Sequence, residues 1–200
     1  MKDIANTPLV SIICSTYNHG LYISQCLDGF LMQKTNFPFE ILIHDDASTD
    51  NTPDIIREYE HNQPQVIRPI YQKENKYSKK EDIFAKYQCS RVRGKYIAIC
   101  EGDDYWIDPL KLQKQIDFLE NNPDYGMIYT TSKVYNQKEG KIEEDIIGRE
   151  FNGYIELLSG NCIPTLTTCI RSSLVMEYLK EVEPKSKNWL CGYGYHIITK

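Results

Sequence analysis

The feature that most constrains this chain is a repeated switch between continuous apolar runs and helical stripes, with a polar cluster directly after each run. "LVSIIC" (9–14), "FEILIHDD" (39–46) and "KYIAIC" (95–100) are short runs whose consecutive apolar residues leave no polar face. Such runs are strands buried on both sides. Between the first two, Ile23, Leu27, Phe30 and Leu31 recur at the spacing of one helix face, which predicts a helix from about residue 20 to 33. A second helix is expected to open at Thr52 as N-cap with Pro53 in its first position, turning Ile55, Ile56 and Tyr59 inward. "QVIRPIYQ" (65–72) reads as a third strand, pushed to a sheet edge by Pro69, which lacks an N–H for the ladder.

The polar loop "KENKYSKKED" leads to an expected helix around 82–91, and Asp108-Pro109 marks the start of another with Leu112, Ile116 and Leu119 inward. "YGMIYTTSKVY" reads as one further strand. Beyond residue 136, "NQKEGKIEEDIIGRE" suggests a charged hairpin, "GYIELLSGN" a short helix and "TLTTCI" a strand. Ser172 or Ser173 would cap a last helix with Leu174, Tyr178, Leu179 and Val182 inward. Strands alternating with helices imply an α/β architecture, a mostly parallel sheet with helices on both faces. Ligands of such sheets bind at the carboxyl ends of the strands. "STYN", "HDDASTD" and "EGDD" all follow strands directly, so they should converge on one rim.

Two hundred residues suit one domain, expected to span 1–200, and a net charge of −5 excludes a general nucleic-acid binder. Cys14, Cys26, Cys89, Cys100, Cys162, Cys169 and Cys191 form no C-x-x-C pair, so they read as reduced core thiols of a cytoplasmic protein. The N-terminal apolar run is too short for a secretion signal or a membrane span.

The chemistry concentrates in the acidic clusters. Asp45, Asp46, Ser48 and Asp50 carry the side chains that close turns and cap helices, and strand alternation sends Asp45 and Asp46 in opposite directions. One can then face the rim while the other anchors the loop. Glu101, Asp103 and Asp104 crowd around Gly102, and clustered carboxylates raise one another's pKa unless a cation intervenes. Hard oxygen donors with little else suit Mg²⁺ or Mn²⁺, which completes its shell with water and substrate phosphates. Tyr17 reads either as a stacking platform for a nucleobase or as packing, and Trp106 either as a sugar-pocket wall or as a cover over the helix start.

"PLVSIICSTYN", "EILIHDDASTDNT" and "GKYIAICEGDDYWIDPLKLQKQIDFLENNP" together resemble family 2 glycosyltransferases of the GT-A fold, particularly bacterial enzymes building capsular or other surface polysaccharides. The resemblance covers roughly residues 8 to 135. It implies a Rossmann-like three-layer sandwich and an inverting transfer of a sugar from a UDP-linked donor to a hydroxyl of a saccharide or lipid-linked saccharide. Carried over by position, Ser15 and Tyr17 would contact the uridine, with Tyr17 stacked on uracil. Asp46 would hydrogen-bond the base edge, Asp103 would face the ribose and Asp104 would ligate the Mn²⁺ or Mg²⁺ on the diphosphate. Lys79 or Lys80 would touch phosphate. The expected setting is the cytoplasm, with peripheral association at the inner membrane face as an extension.

The sequence departs from the family pattern at the catalytic base. In "NWLCGYGYHIITK" Tyr193 occupies the expected Asp position, and tyrosine, with an ordinary pKa of about 10, is a poor base at neutral pH. His196 is a weak substitute. The chain also stops at Lys200 where relatives continue, so a truncated or altered C-terminus is expected. Two rivals follow: a catalytically impaired domain that still holds UDP-sugar and metal, and a metal-dependent nucleotidyltransferase. The second is disfavoured by the lack of a glycine- and basic-rich loop after the first strand.

Overall fold

The computed structural model describes residues 7–151, 156, 160 and 162–181. Its centre is a six-stranded sheet in the order β3-β2-β1-β4-β8-β5, with β8 alone running against its neighbours. The strands are β1 (Val10–Thr16), β2 (Phe39–Asp45), β3 (Ile67–Tyr71), β4 (Tyr96–Ile99), β5 (Met127–Ile128) and β8 (Cys169–Arg171). α1 (Ile23–Leu31) joins β1 to β2, and α2 (Thr52–Asn62) joins β2 to β3. The chain then returns across the sheet to place β4 on the other side of β1, and α3 (Lys111–Asn121) follows β4. That reversal beside β1 is a topological switch point, where the strand ends diverge and leave a crevice.

Both sheet faces are covered. Val10, Ile12 and Cys14 of β1 and Ile41 and Ile43 of β2 pack with Leu27 and Phe30 of α1, Ile56 of α2 and Leu112 and Ile116 of α3. Ile13, Ile97 and Ile99 point the other way, toward Cys89 and toward Val175, Met176 and Leu179 of α4 (Ser172–Glu181). The unbroken apolar runs are therefore double-sided strands of a three-layer α/β sandwich, as expected. Cys14, Cys26, Cys89, Cys100, Cys162 and Cys169 are free and buried, while Cys191 lies outside the described residues.

At the opposite end of the sheet from the crevice, Glu40 is 1% exposed and held by a pair of Arg93 contacts, Nε at 2.8 Å and an NH2 nitrogen at 2.5 Å, and by the Ser11 hydroxyl at 2.7 Å. This ion pair, with its carboxylate buried and its guanidinium half-exposed, ties β1, β2 and the entry to β4 into one block.

Several expectations change in detail. Thr52 is the first helical residue rather than the cap. The N-cap is Asn51, whose side chain makes no capping bond, and Asp50 Oδ1 just before it accepts from Thr52 N at 2.9 Å and from Thr52 Oγ1 at 2.6 Å. The helix expected over 82–91 is a wide turn at Phe84–Gln88 followed by a tight one at Cys89–Arg91. "YGMIYTTSKVY" splits: β5 joins the main sheet, whereas β6 (Ser132–Asn136) leaves it to pair with β7 (Lys141–Ile147) as a separate hairpin. "TLTTCI" divides into a 3₁₀ turn, Thr165–Thr167, and the start of β8, which takes up its Cys169 and Ile170 as strand. The expected helix in "GYIELLSGN" and Val182 fall largely or wholly outside the described residues.

Candidate functional site at the carboxyl rim of the sheet

The three polar clusters meet. After β1, Ser15 O accepts from Gly102 N at 3.0 Å and Thr16 O accepts from Asp46 N at 2.9 Å, so the ends of β4 and β2 are laced to the end of β1. Asn18 turns the chain with φ 55°, donating its N–H to Ser48 Oγ at 2.8 Å while its Oδ1 accepts from Thr49 N at 2.8 Å. Asn tolerates this left-handed backbone because its short side chain closes the turn itself. Gly20 N donates to Asp50 Oδ2 at 2.9 Å. The loop after β1 thus has both its bends fastened to "DDASTD".

Gly102 is required by close approach. A Cβ there would stand 2.7 Å from Thr16 Oγ1, 2.8 Å from Thr16 Cβ and 3.0 Å from His19 Nδ1. The absence of a side chain lets "EGDD" turn across the end of β1 with Asp104 N donating to Glu101 O at 3.1 Å. Asp103 projects outward, half-exposed, with Oδ2 3.8 Å from His19 Nε2. Asp104 lies deeper, and burial together with Asp103 pushes its carboxyl up to about 6. Burial, then the charges of Asp104 and Asp103, pushes Glu101 up to about 7.

Carboxylates held this far above their ordinary range are the electrostatic signature of a site that a cation would relieve. The donor set fits Mg²⁺ or Mn²⁺. Among the described residues no three His, Cys, Asp or Glu side chains converge into a cage.

The other candidates are placed as follows. Ser15 and Tyr17 are at the end of β1, and Tyr17 is 44% exposed with its ring available at the rim. Asp46 is buried, and its two oxygens accept from Lys76 N at 2.7 Å and Tyr77 N at 3.0 Å, fastening the loop that follows β3. Lys79 belongs to that loop and pairs with Glu74 at 2.5 Å on the surface, while Lys80 adopts φ 59°. Next to Asp46, Tyr71, Gln72, Lys73, Glu74 and Lys76 line an open cavity of about 550 Å³.

Trp106 resolves to packing. It meets Phe30 edge-on at 4.8 Å, donates Nε1–H to Leu166 O at 2.7 Å and carries the Lys111 ammonium 3.9 Å over its ring. Tyr193 and His196 lie outside the described residues. The sequence reading missed His19 and the Thr16 hydroxyl, although "NHG" in a loop already singled out offered the clue.

The profile of "Glycosyl transferase family 2" matches residues 11–177. Over 137 residues the chain is 43% identical to the uncharacterized protein Rv1520 of Mycobacterium tuberculosis, 68% of this chain and 38% of that one. It is 33% identical over 131 residues to the Escherichia coli UDP-Glc:alpha-D-GlcNAc-diphosphoundecaprenol beta-1,3-glucosyltransferase WfaP, 66% of this chain and 48% of that one. The chain therefore spans less than half the length of these curated relatives.

Among solved structures, Staphylococcus aureus TarS 1-349 in complex with UDP-GlcNAc superposes with a TM-score of 0.64 at 20% identity, over 84% of this chain and 46% of that one. The mannosyltransferase PcManGT from Pyrobaculum calidifontis, in complex with GDP-Man and Mn²⁺, gives 0.61 at 19% identity, over 85% and 46%. Both are GT-A glycosyltransferases, and at these identities the likeness speaks to fold. With the family profile covering the sheet, the rim and the first part of α4, the chain belongs to glycosyl transferase family 2.

Proposed function

We propose that this chain is the donor-binding and transferase domain of an inverting glycosyltransferase, moving a sugar from a UDP-sugar to a hydroxyl of a saccharide or lipid-linked saccharide during bacterial polysaccharide synthesis. The observation that carries the proposal is the convergence of three strand ends on one rim, where the raised carboxyl of Asp104 and the half-exposed Asp103 stand at the mouth of the crevice and Tyr17 is exposed after β1. Family membership favours glycosyl over nucleotidyl transfer. The UDP-glucose in the name of WfaP and the UDP-GlcNAc bound by TarS favour a uridine nucleotide.

In this reading Tyr17 stacks on the uracil and Ser15 lies beside the uridine. Asp46 serves the base while holding the 75–77 loop, since each carboxylate oxygen has a second lone pair beyond the backbone amide it accepts. Asp103 takes the ribose hydroxyls, and Asp104 would hold Mn²⁺ or Mg²⁺ against the diphosphate. Such an ion supplies charge stabilisation to the diphosphate as it leaves the anomeric carbon. Lys79, once its surface pair with Glu74 loosens, or Lys80 would reach the phosphates. The reaction is assigned to the cytoplasm, in keeping with the free, buried cysteines.

Among the described residues no helix is long and apolar enough to cross a membrane. Contact with the inner membrane face is proposed as peripheral, made where a lipid-linked acceptor is presented.

The test is a screen of nucleotide sugars for thermal stabilisation with and without Mn²⁺, since a ligand at about 100 times its Kd adds roughly 2.7 kcal/mol. UDP-sugars should stabilise in Mn²⁺, and CDP- or GDP-linked sugars should not. Turnover is then read as UDP release with saccharide acceptors. The Tyr193 at the expected base position keeps one second reading in play, a domain that binds donor without transfer. Tight UDP-sugar binding with no UDP release would establish it, and no stabilisation by any nucleotide sugar would sink both.

A further inference from the structure

His19 has no part in the roles assigned above, yet its surroundings fix it more tightly than a surface loop requires. The residues on either side are pinned to "DDASTD" by the Asn18 and Gly20 amides, at 2.8 Å to Ser48 Oγ and 2.9 Å to Asp50 Oδ2. Its carbonyl accepts from Tyr22 N and Ile23 N, both at 2.9 Å, and so starts α1. The ring meets Tyr22 edge-on at 6.3 Å. Backbone and ring are therefore both set by the fold.

The two ring nitrogens face different environments. Nδ1 is buried without a hydrogen-bond partner against the bare Cα of Gly102. The Thr16 hydroxyl, buried and equally without a partner, faces the same point above Gly102. The Asp103 carboxylate on the other side of the ring can only accept, so the tautomer with its proton on Nε2 is the one that can meet it. That nitrogen looks outward to Asp103 Oδ2 at 3.8 Å, an approach that becomes a hydrogen bond only if the half-exposed Asp103 side chain moves in by about 0.8 Å.

A half-exposed carboxylate on a turn samples several rotamers and must be ordered when it binds. A neighbour that already points it spares the ligand that cost. We propose that His19 is a positioning residue, whose Nε2–H aims the Asp103 carboxylate at the ribose hydroxyls of a bound nucleoside diphosphate. The inference rests on the uridine-nucleotide reading above and assigns the ribose end of that site to a His19–Asp103 pair seated on Gly102.

The experiment is calorimetric titration of the whole chain in Mn²⁺ with UDP and with 2′-deoxy-UDP, comparing wild type, H19A, H19Q and D103A. A charge-assisted hydrogen bond to the 2′-hydroxyl should give wild type a preference for UDP of about tenfold. D103A should bind both nucleotides alike. H19A should keep its 2′-deoxy-UDP affinity and lose most of the preference, to about threefold or less, while H19Q, which retains a donor, should recover part of it.

Equal weakening of both nucleotides by H19A, with the tenfold preference intact, would overturn the proposal and make His19 a purely structural residue. If H19A does not fold, the same ratio measured on H19F, which fills the space and has no donor, decides, and a full tenfold preference there again counts against it. Wild type that binds UDP and 2′-deoxy-UDP alike refutes the ribose assignment of Asp103, and with it that of His19. Wild type that binds neither refutes the nucleotide-site reading itself.

Discussion

Glu101→Gln isolates the electrostatic strain of the acidic rim. Glu101 is pushed from an ordinary 4.5 up to about 7, first by burial and then by Asp104 and Asp103. A carboxyl whose folded value is raised contributes stability below its unfolded pKa and loses it as pH climbs through the folded value. The window for Glu101 therefore runs from about pH 4.5 to about pH 7. At about 1.4 kcal/mol per pKa unit, ionising Glu101 in the fold costs on the order of 3 kcal/mol, less whatever solvent reaching the rim screens.

Gln keeps the shape and cannot ionise. E101Q should accordingly match wild type near pH 4.5 and exceed it by about 1–3 kcal/mol at pH 8 in EDTA. Saturating Mn²⁺ should shrink that gain, because a bound cation compensates the same charge in wild type. Urea denaturation at both pH values, with and without Mn²⁺, measures each quantity from the midpoint at constant slope. An E101Q effect independent of pH, or a loss of stability at pH 8, would refute the reasoning.

Gly102→Ala sets a methyl 2.7 Å from Thr16 Oγ1 and 2.8 Å from its Cβ, on a strand end that cannot move away. Overpacking of this kind costs about 1–3 kcal/mol. The melting temperature should fall and UDP affinity should drop with it, and wild-type values for both would show that the turn has slack. Arg93→Ala strips the guanidinium from Glu40, 1% exposed, and leaves the amide of residue 93 at 3.2 Å, Arg68 Nε at 3.5 Å and the Ser11 hydroxyl. A loss of about 3 kcal/mol in urea denaturation is expected, and a loss below about 1 would mean that Arg68 takes over.

The main sheet was legible because strands buried on both faces leave unbroken apolar runs, as at Ile12-Ile13-Cys14, and because the helices between them repeat at helical spacing. The convergence of "STYN", "HDDASTD" and "EGDD" followed from topology alone. What the sequence hid are contacts made across long chain separations. Asp46 reaches the amides of Lys76 and Tyr77, and nothing local announces that partner. His19 gains meaning only once Gly102 is seen to pass beneath its ring.

Local competition explains the remaining misses. Thr52 enters the helix as its first residue, with Asn51 as the cap, because the Asp50 carboxylate accepts from both the amide and the hydroxyl of Thr52. The run through Thr130 and Thr131 was read as one strand, but the chain leaves the sheet there: Thr130 N donates to the Thr167 hydroxyl at 3.1 Å in place of a ladder partner. Trp106 could have been pocket or core by sequence, and Phe30, Leu166 and Lys111 decide for core.

The most direct test of the central claim is UDP binding to wild type and Asp104→Ala, measured by calorimetry with and without Mn²⁺. The account predicts that wild type binds UDP far more tightly in Mn²⁺, and that D104A, with its fold intact, loses the Mn²⁺-dependent part. Undiminished Mn²⁺-dependent UDP affinity in D104A would contradict it.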